Sequence, residues 1–272
     1  MDKLKNIRVT HRLWANISRW GRLSPKYLVI HFTSGIGDSA DLAPAMFKIY
    51  KTYVDRGSNA HYMVGRSEIW EMVDPKTYYT KYSCGSPVGK KNACRIPDWG
   101  VTAYQGPLSM SHAGLAGHTN TINVEVCSLK LGPKRCSPMD DGWYFHPDTY
   151  GNAVRLSAWI CEEFGIKVSN IIMHNQITGK LCPAMWCNRD GAEAQFEQFK
   201  MDVGALLNDA PVPEPPKAPA GGTVKVSAGS LFYAKPDAGG IVLAQAKADM
   251  SLEYTIKNGL FVYTDMGWVI SN

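Results

Sequence analysis

Several features are scarce or missing in this 272-residue chain, and each absence narrows the reading. No run of about 18 apolar residues occurs, which excludes a membrane-spanning helix on length. The segment from Met1 to Trp20 mixes Lys3, Lys5, Arg8, Arg12 and Arg19 with isolated apolar residues, so no secretory signal is expected. The expected course is synthesis in the cytoplasm, with action outside it only after release. Cys-x-x-Cys and His-Glu-x-x-His, the most specific short zinc signatures, are both absent. Basic residues interleaved with aromatics are missing too. The largest cluster, Lys90, Lys91 and Arg95, is too small for a nucleic-acid-binding surface.

Cysteine is neither dense nor even in number. Cys84, Cys94, Cys127, Cys136, Cys161, Cys182 and Cys187 all precede Val212, which argues against a disulfide scaffold and for mostly reduced thiols with at least one special role. Cys84 with Cys94, or Cys127 with Cys136, remain open as pairs in an oxidising space. The net charge of +5 lies wholly before Val212, because five lysines and five acidic residues balance beyond it. A mild positive field suits an anionic polymer, and it suits ordinary solubility equally.

What is present resembles an ordinary globular protein, with 45% hydrophobic and 19% charged residues and length enough for two domains. Tyr27 to Thr33 is a β-branched and aromatic run, predicted as a buried strand. A helix capped by Asp41 is expected through Tyr53, with Leu42, Ala45, Met46, Ile49 and Tyr50 on the same face. Short strands follow over 61–65 and 69–73, then a long loop region over 75–111. Thr121 to Cys127 reads as a strand, Pro147 to Gly165 as a helix, Ile171 to His174 as a strand and Ala192 to Leu207 as a last helix. This alternation predicts an α/β (α+β) domain over 1–208, a mixed sheet flanked by helices. Residues 209–222 form a Pro-rich linker, and 223–272 carry short β-prone runs that predict a small all-β barrel.

Two histidines end apolar strands: His31, and His174, which is followed by a Gly/Pro-shaped loop holding Lys180 and Cys182. Two imidazoles and a thiolate form a three-ligand zinc site that leaves one position open, the catalytic arrangement. Glu125, in the strand after Ser111-His-Ala-Gly114, is a candidate proton acceptor and donor, and Lys180 a candidate oxyanion partner. Each ligating histidine is expected to donate its second ring nitrogen to a carbonyl or carboxylate. Each residue also has an ordinary reading: strand-end histidines pack in cores, Cys-Pro cysteines fill apolar space, and Glu125 and Lys180 can be surface charges.

Taken in order, Val29-Ile-His-Phe-Thr33, Ser58-Asn-Ala-His-Tyr-Met-Val64, Trp70-Glu-Met-Val73, Ser111-His-Ala-Gly114, Asn120-Thr-Ile-Asn-Val-Glu125 and His174-Asn-Gln-Ile-Thr-Gly-Lys-Leu-Cys-Pro183 resemble the zinc N-acetylmuramoyl-L-alanine amidases of the amidase-2 type. That group includes phage lysozyme-type amidases and peptidoglycan recognition proteins, and the resemblance covers about Tyr27 to Val203. It implies zinc on His31, His174 and Cys182, with Lys180 assisting and peptidoglycan as the partner. Some members carry a catalytic Tyr where Ala60 stands here, while others use a Glu that Glu125 matches, so the acid/base role is assigned to Glu125. Asn123 stands where a Gly is common, and the segment from Lys76 to Trp99 is longer than usual. His61, His112 and Trp186 are candidate groove residues; for His61 the reading as a packed strand residue is preferred, and Trp186 also reads as core cover.

The ending Gly259-Leu-Phe-Val-Tyr-Thr-Asp-Met-Gly-Trp-Val269 resembles, less specifically, a bacterial SH3-like wall-binding domain. Amidase, linker and barrel together look like a phage or prophage endolysin of a Gram-positive host. Two other readings share the fold: a peptidoglycan receptor without catalysis, and a host autolysin or sporulation amidase. Receptors of this type typically lose the cysteine ligand, and Cys182 is present here.

Overall fold

The computed structural model describes residues 4, 7–11, 21, 23–35, 37, 60–80, 88–89, 106–130, 137–140, 142–187, 191–208, 223–233, 242–258, 261–264 and 267–270. Backbone contacts divide the chain into Met1–Leu129 with Cys136–Val212, and Lys130–Arg135 with Pro213–Asn272. The helix expected over 41–53, most of the 75–111 loop region and the Pro-rich linker lie outside the described residues.

The first unit is built on a mixed sheet of β1 (Arg8–His11), β2 (Tyr27–Phe32), β3 (Tyr62–Val64), β4 (Glu68–Glu71), β5 (Thr121–Val126) and β8 (Ile171–Met173). Its order is β1-β4-β3-β5-β2-β8; only β3 and β4 pair antiparallel. A separate two-stranded ribbon joins β6 (Leu129–Lys130) to β7 (Trp143–Tyr144). β2 lies centrally between β5 and β8 and is buried along all six residues, which is why it reads as a continuous apolar run rather than an alternating one.

Alternation sorts the side chains onto two faces. Leu28, Ile30, Phe32, Tyr62, Val64, Ile69, Ile122, Val124, Val126, Ile171 and Met173 all belong to one apolar cluster. Two helices complete it, α1 (Pro147–Phe164) and, later in the chain, α4 (Glu193–Leu207). α1 starts where His146 Nδ1 accepts the Asp148 N–H at 3.2 Å and Pro147 needs no N–H partner. It stops at Gly165, whose left-handed φ of 64° turns its N–H onto the Cys161 carbonyl. Phe196, Phe199 and Val203 on α4 are fully buried, each aromatic ring contributing about 1.5–3 kcal/mol by leaving water. Tyr150 of α1 donates to Asp202 of α4 at 2.7 Å, satisfying a buried carboxylate between the two helices.

The opposite face is chemically different. Its apolar residues fall into two smaller clusters, Tyr27 with Val29, Ala116, Ile172 and Ile177, and Met63 with Ala60, Trp70, Met72, Val73 and Cys127. Between them the same strands carry His31, Thr121, Asn123 and Glu125, and His61 precedes β3. In a strand, residues two apart share a face, so Thr121, Asn123 and Glu125 stand together while Ile122, Val124 and Val126 face the helices.

Three elements depart from the expectations. The residues after β8 form two short helices, α2 (His174–Thr178) and α3 (Ala184–Cys187), and the expected loop holding Lys180 and Cys182 is the link between them. The strand β1, parallel to β4, was not foreseen in the polar N-terminal segment. Cys161 and Cys187 are buried free thiols; Cys84, Cys94 and Cys136 lie outside the described residues, and both expected pairings fall there with them.

The second unit holds β9 (Thr223–Val226), β10 (Leu231–Tyr233), β11 (Val242–Gln245), β12 (Met250–Asn258), β13 (Phe261–Thr264) and β14 (Gly267–Ile270) in one sheet of order β11-β10-β14-β13-β12-β9, all antiparallel. The nine-residue β12 was not among the expected runs, although Met250, Leu252, Tyr254 and Ile256 alternate with Ser251, Glu253, Thr255 and Lys257. No helix among the described residues is long and apolar enough to cross a membrane.

Candidate metal centre and active site

Parallel strands present their carboxyl ends along one edge of the sheet, the usual place for a site. His31 is the penultimate residue of β2, and His174 follows the last residue of its neighbour β8. The β2–β5 register sets Glu125 directly opposite His31, so the two share a face. Topology alone thus brings His31, Glu125 and His174 together.

Cys182 is delivered by the chain after α2. Gly179 ends that helix with φ 76°, a conformation that costs a residue with a Cβ about 1–2 kcal/mol, and an added Cβ would meet Met110 at 3.4 Å. Asn175 then ties the loop at three points: its N–H donates to the Cys182 carbonyl at 3.0 Å, its side chain to the Lys180 carbonyl at 3.0 Å, and its carbonyl accepts from Gly179 at 2.8 Å. Gly179→Ala is therefore expected to destabilise the protein by about 1–2 kcal/mol in a denaturant titration. An unchanged midpoint would mean that this turn does not need the left-handed conformation.

The outcome is a buried His31–His174–Cys182 cluster whose ligand atoms lie within 4.8 Å of one another. His31 Nδ1 is 3.7 Å from Cys182 Sγ, and the two imidazole rings are 4.7 Å apart between centroids. Bonds of about 2.0–2.3 Å to a tetrahedral zinc separate its ligands by roughly this Nδ1–Sγ distance. His174 Nδ1 is buried without a hydrogen-bond partner, a cost that a metal at the centre would remove. Two nitrogens and a sulfur are also a donor set that suits zinc. The residues fit a metal ion.

Electrostatics favour the same use. Burial lowers the His31 pKa to about 4, against the hydrogen bond His31 donates to Asn123 and with help from the Lys180 charge. Burial also takes His174 well below its usual value, reinforced by His31 and Lys180, so both rings are neutral and keep a lone pair at neutral pH. The Cys182 thiol is pushed up to about 12 by burial, with Lys180 pulling the other way, so metal binding here must displace a proton. Glu125 is half-buried, its Oε2 has no hydrogen-bond partner, and burial raises its pKa to about 7 while Lys180 opposes the rise. Lys180 itself is exposed at the rim, and its charge is felt by all four groups.

Two of the candidate groove residues are buried in the fold. His61 is fully buried within the sheet, its Nδ1 accepting from the Asn123 N–H at 2.9 Å and its Nε2 donating to the Tyr78 carbonyl at 3.1 Å. Both ring nitrogens are spent on the fold. Trp186 is also buried, packed among Phe145, Phe196 and Phe199 at 5.1–5.4 Å, and closes the helix side of the core. His112 is half-exposed; its N–H donates to the Gln176 carbonyl at 2.7 Å, so its segment lies against α2 beside the cluster. The sequence reading passed over His118, a buried residue whose protonated form would help lower the His174 pKa.

A model of the amidase-2 family, described as N-acetylmuramoyl-L-alanine amidase, matches residues 21–185, more than half of the chain. The chain belongs to this family. The matched span holds His31, Glu125, His174, Lys180 and Cys182. N-acetylmuramoyl-L-alanine amidase CwlL of Bacillus licheniformis is 26% identical over 189 residues, 69% of this chain and 43% of that protein. N-acetylmuramoyl-L-alanine amidase BlyA of Bacillus subtilis (strain 168) is 25% identical over 224 residues, 78% of this chain and 53% of that one. The chain thus spans about half the length of the curated relatives it matches. Among solved structures, PlyL aligns with a TM-score of 0.46 at 18% identity, covering 72% of this chain and 96% of its own.

Proposed function

We propose that this chain is a zinc-dependent N-acetylmuramoyl-L-alanine amidase of endolysin type, hydrolysing the amide between N-acetylmuramic acid and L-alanine of bacterial peptidoglycan. The observation that carries the reading is the convergence of His31, His174 and Cys182, within 4.8 Å, inside the span matched by the family. Zinc held by these three residues supplies a Lewis acid that polarises a carbonyl oxygen and acidifies water. The protein's own groups do the rest. Glu125 Oε2, unpartnered and in register with His31, takes the proton of the attacking water and returns it to the alanine nitrogen as the C–N bond breaks. The Lys180 ammonium offsets negative charge on the carbonyl oxygen. The half-exposed His112 borders the stem peptide from the segment beside α2.

The antiparallel second unit is assigned as an SH3-like wall-binding domain and residues 209–222 as its tether. Tethering raises the local substrate concentration without adding a catalytic contact. Removing residues 209–272 is expected to slow lysis of whole walls at low enzyme concentration while leaving turnover of a soluble muropeptide within about twofold.

The test of the activity is a count of new L-alanine amino termini and new reducing ends on digested Gram-positive peptidoglycan. Alanine termini should rise alone. New reducing ends would identify a glycosidase, and binding without either product would identify a receptor.

A further inference from the structure

We infer that Asn123 is a positioning residue that holds the His31 proton on Nε2 and turns the Nδ1 lone pair to the metal. The inference rests on the metal reading above and adds to it the group that fixes the first ligand.

Asn123 is fully buried in β5 between Ile122 and Val124, where a carboxamide is costly unless its donors and acceptor are all met. Its Oδ1 lies 3.0 Å from His31 Nε2. Its Nδ2 lies 3.0 Å from Thr80 Oγ1, 3.1 Å from Thr121 Oγ1 and 3.3 Å from the Thr121 carbonyl. These neighbours decide which end of the amide is oxygen. The Thr121 carbonyl can only accept, so the atom facing it must be the NH2 nitrogen. The Thr121 hydroxyl says the same: its proton is spent on the Gly117 carbonyl at 3.0 Å, leaving only a lone pair for Asn123. A flipped amide would set oxygen against oxygen at both contacts.

With Nδ2 placed, Oδ1 faces His31 as an acceptor, and Nε2 must carry the hydrogen. The other nitrogen is then bare, and it is the one 3.7 Å from Cys182 Sγ. The relay thus runs from the Gly117 carbonyl through the Thr121 hydroxyl and the Asn123 carboxamide to His31. A hydrogen bond to the outer nitrogen of a metal-bound imidazole fixes its tautomer and ring orientation, and losing it typically costs about 10–100-fold in metal affinity.

Two experiments test this on the full chain. In metal-free protein labelled with 15N-histidine, long-range 1H–15N spectra at neutral pH should show His31, assigned by its loss in His31→Gln, with Nε2 protonated and Nδ1 bare. The opposite tautomer overturns the inference. Zinc competition against a chromophoric chelator should then give Asn123→Leu, which keeps volume and removes the acceptor, an affinity about 10–100-fold below wild type. Thr80→Val removes a partner of the same amide but spares Oδ1, and it should stay within about threefold; equal losses in both variants would mean Asn123 only supports the fold. Should Asn123→Leu not fold, the tautomer measurement on the natural chain decides alone. A natural chain that binds zinc through Cys182, with Asn123→Leu binding as tightly, sinks this inference and spares the amidase reading. Failure of the natural chain to bind zinc sinks both.

Discussion

Cys182→Ala protein is expected to lose zinc and hydrolytic activity together. Cys182 supplies the sole sulfur of a three-donor cluster, so its removal leaves two imidazoles, one of them with a buried and unpartnered Nδ1. The affinity loss should exceed the roughly 10–100-fold typical of groups that merely orient a ligand. Heat offers a readout independent of catalysis. A ligand that binds the folded state at 100 times its Kd stabilises it by about 2.7 kcal/mol, so zinc should raise the unfolding temperature of the natural protein and not of the variant. The metal-free forms should melt close together, because Cys182 is a small buried side chain whose thiol burial already keeps protonated. Retention of one tightly held zinc and of activity in Cys182→Ala would remove the centre as drawn here.

Glu125→Gln should do the reverse, keeping zinc and losing turnover by about 10²–10⁴-fold, the range general acid–base catalysis contributes. Glutamine preserves the volume and polarity of the half-buried side chain but cannot take a proton from water. Glu125 Oε2 has no hydrogen-bond partner, so the fold gains little from the carboxylate, and the variant should be at least as stable as the natural chain. Loss of stability without loss of turnover would return Glu125 to a structural role. The pairing of outcomes matters: one variant separates metal from fold, the other separates proton transfer from metal.

Residues with short-range signals were legible. The buried run of β2, the Pro147 start and Gly165 stop of α1, and the spacing of Phe196, Phe199 and Val203 on α4 each follow from neighbours in sequence. The strand-end positions of His31 and His174 were visible for the same reason. β12 carried an alternation that went unread, and β1 had no such signal, being a polar edge strand secured by pairing with β4.

His61 and Trp186 mark where local pattern runs out. A histidine beside a strand can face solvent, a groove or another strand, and only the alignment of β3 with β5 placed His61 Nδ1 on the Asn123 N–H. Trp186 is separated by one short turn from a ligand loop, yet the packing of α4 drew it into the core. Asn123 is the sharpest case. In sequence it is a polar residue where the family commonly has glycine; in the fold it joins His31, 92 residues away, to Thr80, 43 residues away. Sequence by itself determined β2, α1, α4 and the donor types, since capping, periodicity and ligand chemistry act over a few residues or within one side chain. Sheet register, which only the tertiary structure decides, chose which nitrogen of His31 faces the cluster, because that choice depends on groups brought alongside by pairing of distant strands.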